Sequence, residues 1–425
     1  MLKDITAILV HYTNQSILNK AINSLTEISS RLGKVIVIRD SQASVNRNDG
    51  YTWLQGVEQI VADQDDMCEE LNLVIQKVTS KYVLFLQGKD CLSSKANVDP
   101  ILPSIQKPIA GIVYTNQNIA IERPFLVLTS FLKKRKLSYS ELPFKEALLT
   151  VWLSNIDHSL KTFKEVPVKQ IGKNSSSNTL KRQKFIEKYQ LENVKTNHPS
   201  LSVIISNYNM EKYVGTAINS CLLQNERLDQ ILIMDDGSTD SSLQKIRQWD
   251  YDERVMALTK ENGGKARALN DLIPHVTSDF ILELDADDWL DPDAVSIIKK
   301  HVSDLPDDIS VLYGNFRKWK QTDTGIVYKG IAKGNAINGK ADLLTYRFPL
   351  GPRIYRTVSL KNAGGFPVIP FKDGRLYEDV SVLHRLLEQS RFMYADFTVY
   401  NVREHRESIT RSHLSAWNEF LKTLR

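Results

Sequence analysis

The sequence contains an internal repeat, and this repeat limits the fold more than any other feature. The tetrapeptide Ala-Ile-Asn-Ser occurs at residues 21–24 and again at 217–220, each time shortly after an apolar run rich in β-branched residues. Further segments match in the same order, namely 34–40 with 230–236 and 78–86 with 276–284. The offset between the copies is 196 residues for the earlier pairs and 198 for the last. Self-similarity of this kind predicts a tandem duplication of one unit.

Each copy alternates apolar runs of strand length with segments of helical periodicity. This alternation predicts the α/β class, with a largely parallel sheet covered by helices on both faces. A polar, turn-rich stretch around residues 173–179 interrupts the pattern. We therefore expect a first domain over 1–167, a linker over 168–200 that could contain one helix, and a second domain over 201–425.

The composition is that of an ordinary globular protein. Of the 425 residues, 42% are hydrophobic and 25% are charged, and the net charge is only +5. The cysteines Cys68, Cys91 and Cys221 have the spacing of neither a metal site nor a disulfide framework. The chain enters a strand-like run at once and has no apolar stretch of about 20 residues. We expect a cytoplasmic protein that binds no nucleic acid; contact with a membrane surface and homo-oligomer formation remain open.

The strongest indication of chemistry is the acidic cluster Asp-Ala-Asp-Asp at residues 285–288. It follows the apolar run at 280–284, so its carboxylates are expected at the carboxyl end of a buried strand, where such sheets bind ligands. Carboxylates held together repel one another, and a divalent cation such as Mg²⁺ or Mn²⁺ would relieve the repulsion. The alternative is a solvated acidic turn before a helix that Asp291 caps.

A second acidic pair, Asp235 and Asp236, ends another predicted strand. One of the two carboxylates could accept a hydrogen bond from a base or from a ribose hydroxyl. Gly237 permits a tight turn after the pair, and Ser238 and Asp240 are explained by helix capping alone. Capping does not explain both members of the acidic pair, so ligand binding is the preferred interpretation of these two residues.

A glycine pair with basic neighbours, Gly263, Gly264, Lys265 and Arg267, precedes the next helix-like segment. The glycines would let the backbone approach a ligand, and Arg267 could clamp a phosphate or a base edge with its planar donors. The segment matches neither a Walker loop nor a G-x-G-x-x-G fingerprint, so ATP hydrolysis and NAD binding lack their signatures.

Two further candidates lie near the end of the sequence. Glu378 and Asp379 open a segment of helical periodicity, where acidic residues could equally be partners of the helix dipole. His405 stands among basic residues after a predicted strand and could reach a metal ion or a diphosphate, although a lone histidine is usually structural.

Taken together, these clusters resemble the family 2 glycosyltransferases of the GT-A fold. The matching segments are Ser-Asn-Tyr-Asn at 206–209, Asp-Asp-Gly-Ser at 235–238, Asn-Gly-Gly-Lys-Ala-Arg at 262–267, Asp-Ala-Asp-Asp at 285–288, Gly-Gly-Phe at 364–366, Glu-Asp at 378–379 and the Arg-x-His-x-x-Ser-x-Thr run at 403–410. The ordered set is specific although each motif alone is not. The resemblance covers the chain from residue 201 onward and implies two tandem GT-A (Rossmann-like) domains, the first of them degenerate.

The resemblance implies an inverting, metal-dependent enzyme that moves a sugar from a nucleotide-diphospho sugar, usually a UDP-sugar, to a hydroxyl of a glycan or another acceptor. The nucleotide-binding residues would be Asn207, Tyr208, Asn209, Asp235, Asp236, Lys265, Arg267, Asp285 and Ala286. Tyr208 would stack on the base and Asp285 would touch the ribose. Asp287, Asp288 and His405 would bind Mn²⁺ or Mg²⁺, and Asp379, beside Glu378, would be the general base.

The two-unit arrangement and its length also resemble a spore maturation protein. This likeness implies a place in polysaccharide, cell-envelope or spore-surface glycan synthesis, with the sporulating mother cell or the spore surface as a further location.

The first copy lacks the residues that such chemistry needs. At the positions of Asp285, Asp287, Arg267 and Asp379 it has Gln87, Lys89, Glu69 and Ala147. A lysine would repel a cation and a glutamate would repel a diphosphate, so we expect no metal-dependent transfer by the first copy. Acceptor docking, assembly and support of the second copy all remain open as its role.

Two alternatives belong to other functional classes. One is a scaffold or carbohydrate-binding protein made of two inactive transferase domains, against which the intact Asp287 and Asp379 argue. The other is a sugar-nucleotide nucleotidyltransferase, which should carry a glycine-rich basic loop directly after its first strand. Residues 207–211 read Asn-Tyr-Asn-Met-Glu instead, with no glycine run.

Overall fold

The structure, a computed structural model, divides into two compact units, Met1–Gln190 and Leu191–Arg425. It describes residues 3–39, 57–62, 66–138, 141–163, 168–172, 176–194, 198–323, 325–346, 350–405 and 417–423. Every predicted site residue lies in these ranges, whereas residues 406–410 of the last motif lie outside them. Within the described ranges, no helix combines the length and the apolar character needed to cross a membrane.

The first unit is built on one sheet with helices packed against it. Its strands are β1 (Ile5–Val10), β2 (Leu32–Arg39), β3 (Val57–Val61), β4 (Tyr82–Gln87), β5 (Asp90–Leu92), β6 (Ile109–Asn116), β7 (Ile119–Leu128), β8 (Lys161–Phe163) and β9 (Val168–Gln170). Its α-helices are α1 (Gln15–Ser24), α2 (Met67–Lys77), α3 (Thr129–Lys134), α4 (Leu148–Ser154) and α5 (Ser177–Glu187). The sheet has the order β3-β2-β1-β4-β7-β6-β8, while β5 and β9 pair separately.

The second unit has a larger sheet. Its strands are β10 (Leu201–Asn207), β11 (Gln230–Asp235), β12 (Val255–Thr259), β13 (Phe280–Asp285), β14 (Trp289–Leu290), β15 (Ile309–Thr322), β16 (Gly325–Ala332), β17 (Arg353–Arg356) and β18 (Arg391–Glu404). Its α-helices are α6 (Val214–Leu222), α7 (Ser242–Arg247), α8 (Lys265–Leu272), α9 (Ala294–Val302), α10 (Lys340–Thr345), α11 (Thr357–Asn362), α12 (Glu378–Leu386) and α13 (Trp417–Thr423). The sheet order is β12-β11-β10-β13-β17-β15-β18-β14, and β16 pairs with β15.

The two sheets share one strand order. In the first, the parallel strands β3-β2-β1-β4 are followed by antiparallel β7, then β6, and then β8 parallel to β6. In the second, the parallel strands β12-β11-β10-β13 are followed by antiparallel β17, then β15, and then β18 parallel to β15. The predicted α/β class is confirmed, and the shared order supports the predicted duplication.

The segment predicted as a linker differs from the expectation, because its first part belongs to the first unit. β9 pairs antiparallel with β5, and α5 packs on β7. The side chains of Asn116 and Gln183 are joined by a 2.9 Å hydrogen bond, and the side chain of Gln190 accepts a hydrogen bond from the backbone N–H of Glu122. The segments on either side of the polar stretch therefore pack within the first unit, β9 on β5 and α5 on β7, and this unit extends to Gln190.

The central parallel strands of the second unit, β10, β11 and β13, are buried on both faces. Along β10, Val203 and Ile205 join one apolar cluster with residues of α6 and α9, while Ile204 joins another with residues of α8 and α12. Side chains of a strand alternate between the faces of a sheet, so both faces need apolar partners. These strands form a rigid support, and the polar residues that follow them are held at its carboxyl edge.

The Gly-Gly-Phe motif fastens the segment after α11 to helix α8. Asn270 of α8 accepts a hydrogen bond from the backbone N–H of Phe366 at 2.7 Å and donates its side-chain amide to the carbonyl of Phe366 at 2.8 Å. Gly364 and Gly365 have φ values of 76° and 73°. A Cβ atom on Gly365 would overlap Oδ1 of Asn270, whereas one on Gly364 would meet only Nη1 of Arg385, at 3.8 Å.

The two glycines therefore offer a matched pair of substitutions. Gly364→Ala should cost about 1 kcal/mol, because alanine is strained at positive φ. Gly365→Ala should cost about 2–4 kcal/mol, because the same strain is combined with the clash on Asn270. Urea unfolding of the full chain measures both losses. Equal losses of unfolding free energy would show that Asn270 moves aside freely and that its two hydrogen bonds to Phe366 contribute little to stability.

Candidate active site

Polar residues follow three neighbouring strands of the second sheet at one edge. In the parallel register, Asn207 at the end of β10 lies opposite Asp235 at the end of β11. On the other side of β10, Ser206 lies opposite Asp285 at the end of β13. The structure thus brings the motifs at 206–209, 235–238 and 285–288 to the carboxyl edge, where ligands bind in sheets of this class.

Asp235 stabilises the turn that follows β11. It is 1% exposed, and its carboxylate accepts hydrogen bonds from the side-chain amide of Asn207 at 2.8 Å and from the backbone N–H of Ser238 at 3.1 Å. The Ser238 hydroxyl in turn accepts from the backbone N–H of Asn209 at 2.9 Å. Asn207, Asn209 and Asp235 therefore hold the loops together, in addition to any contact with a ligand.

Asp236 binds the glycine loop. Its carboxylate oxygens accept hydrogen bonds from the backbone N–H groups of Gly263, at 2.8 Å, and Gly264, at 2.7 Å. The side chain is 2% exposed. A carboxylate oxygen has a second lone pair, so contact with uracil or ribose would have to use the remaining acceptor capacity. The sequence identified the residue but not its backbone partners.

Tyr208 is exposed beside these buried residues. Its side chain is 46% exposed, and it precedes Asn209, which has a φ of 53° and accepts from the backbone N–H of Thr239 at 2.8 Å. The tight turn holds the ring at the edge of the sheet, where it is free to stack on a planar ligand. This placement agrees with the stacking role that the family resemblance implies.

Two arginines tie the glycine loop to the segment before α12. Arg267 donates to the carbonyl of Gly263 at 2.7 Å and pairs with the carboxylate of Asp373 at 3.0 Å. Arg375 donates to the side-chain oxygen of Asn262 at 2.5 Å. Sequence reasoning missed Arg375 and Asp373, because only the folded chain brings residues so far apart in sequence together.

Lys265 joins three carboxylates. Its Nζ lies 2.5 Å from Oδ1 of Asp285, 2.9 Å from Oε1 of Glu283 and 3.5 Å from Oε1 of Glu378. Burial lowers the pKa of Lys265, but these carboxylates raise it well above its ordinary value, so the ammonium group stays charged. Lys265 thus links the end of β13 to the start of α12, a role that the sequence did not reveal.

Glu283 and Arg353 form a buried ion pair beneath this bridge. Arg353 binds both carboxylate oxygens of Glu283, through Nε at 2.8 Å and Nη2 at 2.7 Å, and the hydroxyl of Tyr355 donates to the same carboxylate at 3.0 Å. Burial opposes ionisation of Glu283, but Arg353 and Lys265 hold its pKa well below the ordinary range. One signal was visible in the sequence, because Glu283 is a charged residue inside an apolar run and would need a buried partner.

Glu378 and Asp379 begin helix α12 next to the bridge. Asp379 is the more open of the two, with 24% of its side chain exposed, and its Oδ2 lies 3.7 Å from Nη1 of Arg353. Burial raises the pKa of Glu378 to about 7; the charge of Lys265 opposes this rise and that of Asp379 adds to it. The helix therefore places one accessible carboxylate beside a second carboxyl group that holds its proton near neutral pH.

An aromatic cluster supports the turn before α12. Tyr377 has a left-handed backbone, with φ of 61° and ψ of 28°. Its ring lies 4.5 Å from that of Phe420 and 5.2 Å from that of Trp417, both on α13, and 6.1 Å from that of Phe371. A non-glycine residue keeps this strained conformation only where its surroundings hold it, and here the aromatic rings do so.

Asp287 and His405 form a second polar pair at this edge. Nε2 of His405 lies 2.9 Å from Oδ2 of Asp287. Arg403 donates through Nε to the carbonyl of Asp287 at 2.8 Å, and its guanidinium stacks on the rings of Tyr213 and Trp289, at 4.7 and 4.8 Å. The end of β18, which His405 directly follows, is thereby fixed against the acidic cluster.

The contacts of Asp288 and Ala286 indicate structural roles for these two residues. Asp288 is 4% exposed and accepts from the backbone N–H of Arg403 at 2.7 Å. Burial, together with the charges of Asp287 and Asp285, raises the pKa of Asp288 well above its ordinary value. Ala286 lies in the apolar core, so only its backbone could face a nucleotide.

Asp287 and His405 are suited to an open metal site, in which the substrate supplies further ligands, and not to a site closed by protein ligands. In the part of the chain that the structure describes, no group of three or more His, Cys, Asp or Glu side chains is arranged around a common point to hold a metal. Asp287 and His405 nevertheless offer an oxygen and a nitrogen close together. Mg²⁺ is commonly bound by one or two protein carboxylates together with substrate phosphates, so an open site of this kind is suitable.

The matching edge of the first unit has different contacts. Asp90, at the position of Asp288, pairs with Arg123 at 3.1 Å. Gln87 donates its side-chain amide to the carbonyl of Glu146 at 2.6 Å, and the Glu146 carboxylate pairs with Arg182. These residues pair with one another, and the bridge that Lys265 forms between carboxylates in the second unit has no counterpart among them.

The pKa of Glu378 predicts how stability depends on pH. The folded state keeps this proton up to about pH 7, whereas the unfolded chain releases it near the ordinary value of 4.5. Stability should therefore fall as pH rises from about 4.5 to 7, by on the order of 3 kcal/mol. Glu378→Gln should remove this part of the dependence, as measured by urea unfolding between pH 5 and 8.

The exposed Glu253 provides the control. Glu253→Gln should show the same dependence of unfolding free energy on pH as the parent protein. Asp288 contributes equally to this dependence in the parent and in both variants. If Glu378→Gln and the parent had the same slope, Glu378 would be ionised in the folded state.

Comparison with known proteins relates this arrangement to a family. Residues 202–356 match the family model Glycosyl transferase family 2. Glycosyltransferase GlyA of Streptococcus pneumoniae serotype 4 is 24% identical over 231 residues, 51% of this chain and 32% of GlyA. Glycosyltransferase GlyG of the same organism is 26% identical over 224 residues, 50% of this chain and 73% of GlyG. The matched part thus spans about a third of GlyA.

The crystal structure of S. aureus TarS 1-349 in complex with UDP aligns with a TM-score of 0.38 at 21% identity, over 48% of this chain and 60% of that chain.

The family match runs from β10 to β17 and includes the motifs at 206–209, 235–238, 262–267 and 285–288. The resemblance deduced from those motifs is therefore confirmed, as is the α/β fold of GT-A type. Residues 202–356 of the second unit therefore have the sequence pattern of Glycosyl transferase family 2.

Proposed function

We propose that the second unit transfers a sugar from a nucleotide-diphospho sugar to an acceptor hydroxyl in a single, inverting displacement. The observation that carries this proposal is the bridge through Lys265, whose Nζ lies within 2.5 Å of Asp285 and 3.5 Å of Glu378. Asp285 ends the strand that leads to the acidic cluster, and Glu378 adjoins Asp379. One side chain therefore spans the distance between the donor-binding edge and the base.

The donor would lie along the carboxyl edge of the sheet. Tyr208 is exposed for stacking on the base, and Asp236 has acceptor capacity left for the base or the ribose. Asp285 would bind the ribose. Asp287 and His405 would hold Mn²⁺ or Mg²⁺, which when bound supplies positive charge against the leaving diphosphate. The expected donor is a UDP-sugar, as the resemblance implies.

Asp379 would act as the general base. It is the partly exposed member of the acidic pair on α12, so its carboxylate can take the proton from an acceptor hydroxyl as that oxygen attacks the sugar. No covalent nucleophile is needed in a single displacement, and the anomeric centre is inverted. The acceptor would be a hydroxyl of a glycan in polysaccharide, cell-envelope or spore-surface synthesis.

A donor screen tests the proposal. UDP-, dTDP- and GDP-sugars are incubated with the full chain and with Mn²⁺ or Mg²⁺, and release of the nucleoside diphosphate is measured. Proton NMR of the released sugar then reports the anomeric configuration. Inverted product supports the proposal, whereas a chain that binds no nucleotide and releases none is a scaffold or a carbohydrate-binding protein.

The first variant, Asp287→Ala, tests whether turnover depends on a divalent ion bound at Asp287. Asp287→Ala should reduce metal-stimulated turnover by roughly 100-fold or more, because it removes a ligand of the group that neutralises the leaving diphosphate. The fold should survive, which circular dichroism checks. Lys89→Ala changes the matching position of the first unit and should leave turnover unchanged. Turnover near the parental level in Asp287→Ala would place the chemistry elsewhere.

The second variant, Asp379→Asn, tests whether Asp379 is the general base. Asp379→Asn should lose at least ~100-fold in turnover and keep its affinity for the nucleoside diphosphate, because the amide cannot accept the proton. Calorimetric titration with UDP measures the affinity. Asp307→Asn, a change at a fully exposed carboxylate, is the control and should retain both properties. Loss of turnover and affinity together would mean that Asp379 binds the donor.

A further inference from the structure

The buried pair of Glu283 and Arg353 reaches the proposed base directly. Arg353 uses Nε and Nη2 to bind the two oxygens of Glu283. Its remaining nitrogen, Nη1, donates to the carbonyl of Leu350 at 2.9 Å and lies 3.7 Å from Oδ2 of Asp379. The guanidinium is thus held through Nε, Nη1 and Nη2, and Nη1 also faces the carboxylate of Asp379.

The fold does not require this pair. β4 matches β13 with an offset of 198 residues, so Phe85 stands at the position of Glu283. The pairing of Leu84 with Leu126 corresponds to that of Leu282 with Ile354, which puts Phe125 at the position of Arg353. Both phenylalanines are buried, at 2% and 0% exposure. The same strand order therefore forms in the first unit with apolar residues in place of the charges.

The bridging lysine is replaced as well. Met67 begins α2 as Lys265 begins α8, and Met67 is 3% exposed. The first unit also has Ala147 at the position of Asp379. Removing charges from water is costly, and apolar residues of similar volume often stabilise a core at least as well. The charged network is thus present in the unit that has a base and absent, at these positions, from the unit that lacks one.

We propose that Arg353, fixed by Glu283, is a positioning residue that holds the carboxylate of Asp379 in place for catalysis. This inference rests on the proposed function, because it presupposes that Asp379 acts as the base. Arg353 does not contact the donor in this scheme. It acts through Asp379, and Glu283 acts through Arg353.

The charges around Asp379 show what the loss of Arg353 would do. Glu378, Glu283 and Asp379 are neighbouring carboxyl groups, the first two buried and the third partly exposed, with Tyr355 and Tyr377 beside them. Among the residues that the structure describes, Lys265 and Arg353 are the cations that form ion pairs with these carboxyl groups. Without Arg353 the carboxylates would repel one another with only Lys265 between them, so Asp379 would be expected to shift away from its neighbours.

The test uses a double variant, because a single change could disrupt folding. Arg353→Met alone leaves Glu283 buried without its partner, which is strongly destabilising. Glu283→Gln combined with Arg353→Met removes both charges and resembles the apolar solution of the first unit. We expect the double variant to fold, to bind UDP with a Kd within about 3-fold of the parent and to keep the KM for the donor within the same range. Its kcat should fall about 100-fold, since a small misplacement of a catalytic group costs about this much.

Two further variants sharpen the result. Arg353→Lys keeps a cation but not the bidentate geometry, and its kcat should lie between those of the parent and the double variant. Asp291→Asn combined with Arg317→Met removes another buried ion pair of the same unit, in which Nη1 of Arg317 lies 2.7 Å from both oxygens of Asp291. This control should lose stability but keep kcat within about 3-fold.

The outcomes separate this inference from the function on which it rests. If Asp379→Asn abolishes turnover while the double variant at Glu283 and Arg353 keeps parental kcat, the inference alone is overturned. It is also overturned if kcat and KM of the double variant change no more than those of the control pair. If the parent chain releases no nucleoside diphosphate from any donor, the proposed function fails, and the positioning role fails with it.

Discussion

Charge held at the ends of buried strands is the constraint on which the second unit depends. Asp236 is stabilised by hydrogen bonds from two backbone N–H groups, and Glu283 by a bidentate arginine. Asp285 is paired with the ammonium group of Lys265, which also lies near Glu378. A buried carboxylate without such partners would cost several kcal/mol, so each one fixes the loop or helix that supplies its partner. The glycine loop, the carboxyl edge of the sheet and the start of α12 are thereby set relative to one another.

The sequence predicted the fold class and most of the residues at the edge, because both follow from local patterns. Apolar runs alternating with helical segments indicate parallel strands, and polar residues directly after such runs must lie at the carboxyl edge. The pairing of Glu283 with Arg353 could not be predicted in the same way. It depends on the antiparallel register of β17 on β13, which no local pattern in the sequence specifies. The partners of Asp236 are backbone groups and leave no mark in the sequence, and β9 and α5 were assigned to a linker because their sheet partners are distant.

The two units show how one strand order accommodates different interiors. Where the second unit has Glu283, Arg353 and Lys265, the first has Phe85, Phe125 and Met67, and both sheets are complete. Hydrophobic burial is non-directional, so an apolar core tolerates many arrangements, whereas an ion pair needs a defined geometry. The first unit is therefore a natural reference for what this strand order requires.

The left-handed turn at Tyr377 makes the start of α12 depend on the C-terminal helix α13. Its conformation is held by aromatic rings on α13, a helix distant in sequence that contributes Phe420 and Trp417. Detachment of that helix, for example by a proteolytic cut or by a protein that captures its apolar face, would release the turn and the acidic pair that follows it.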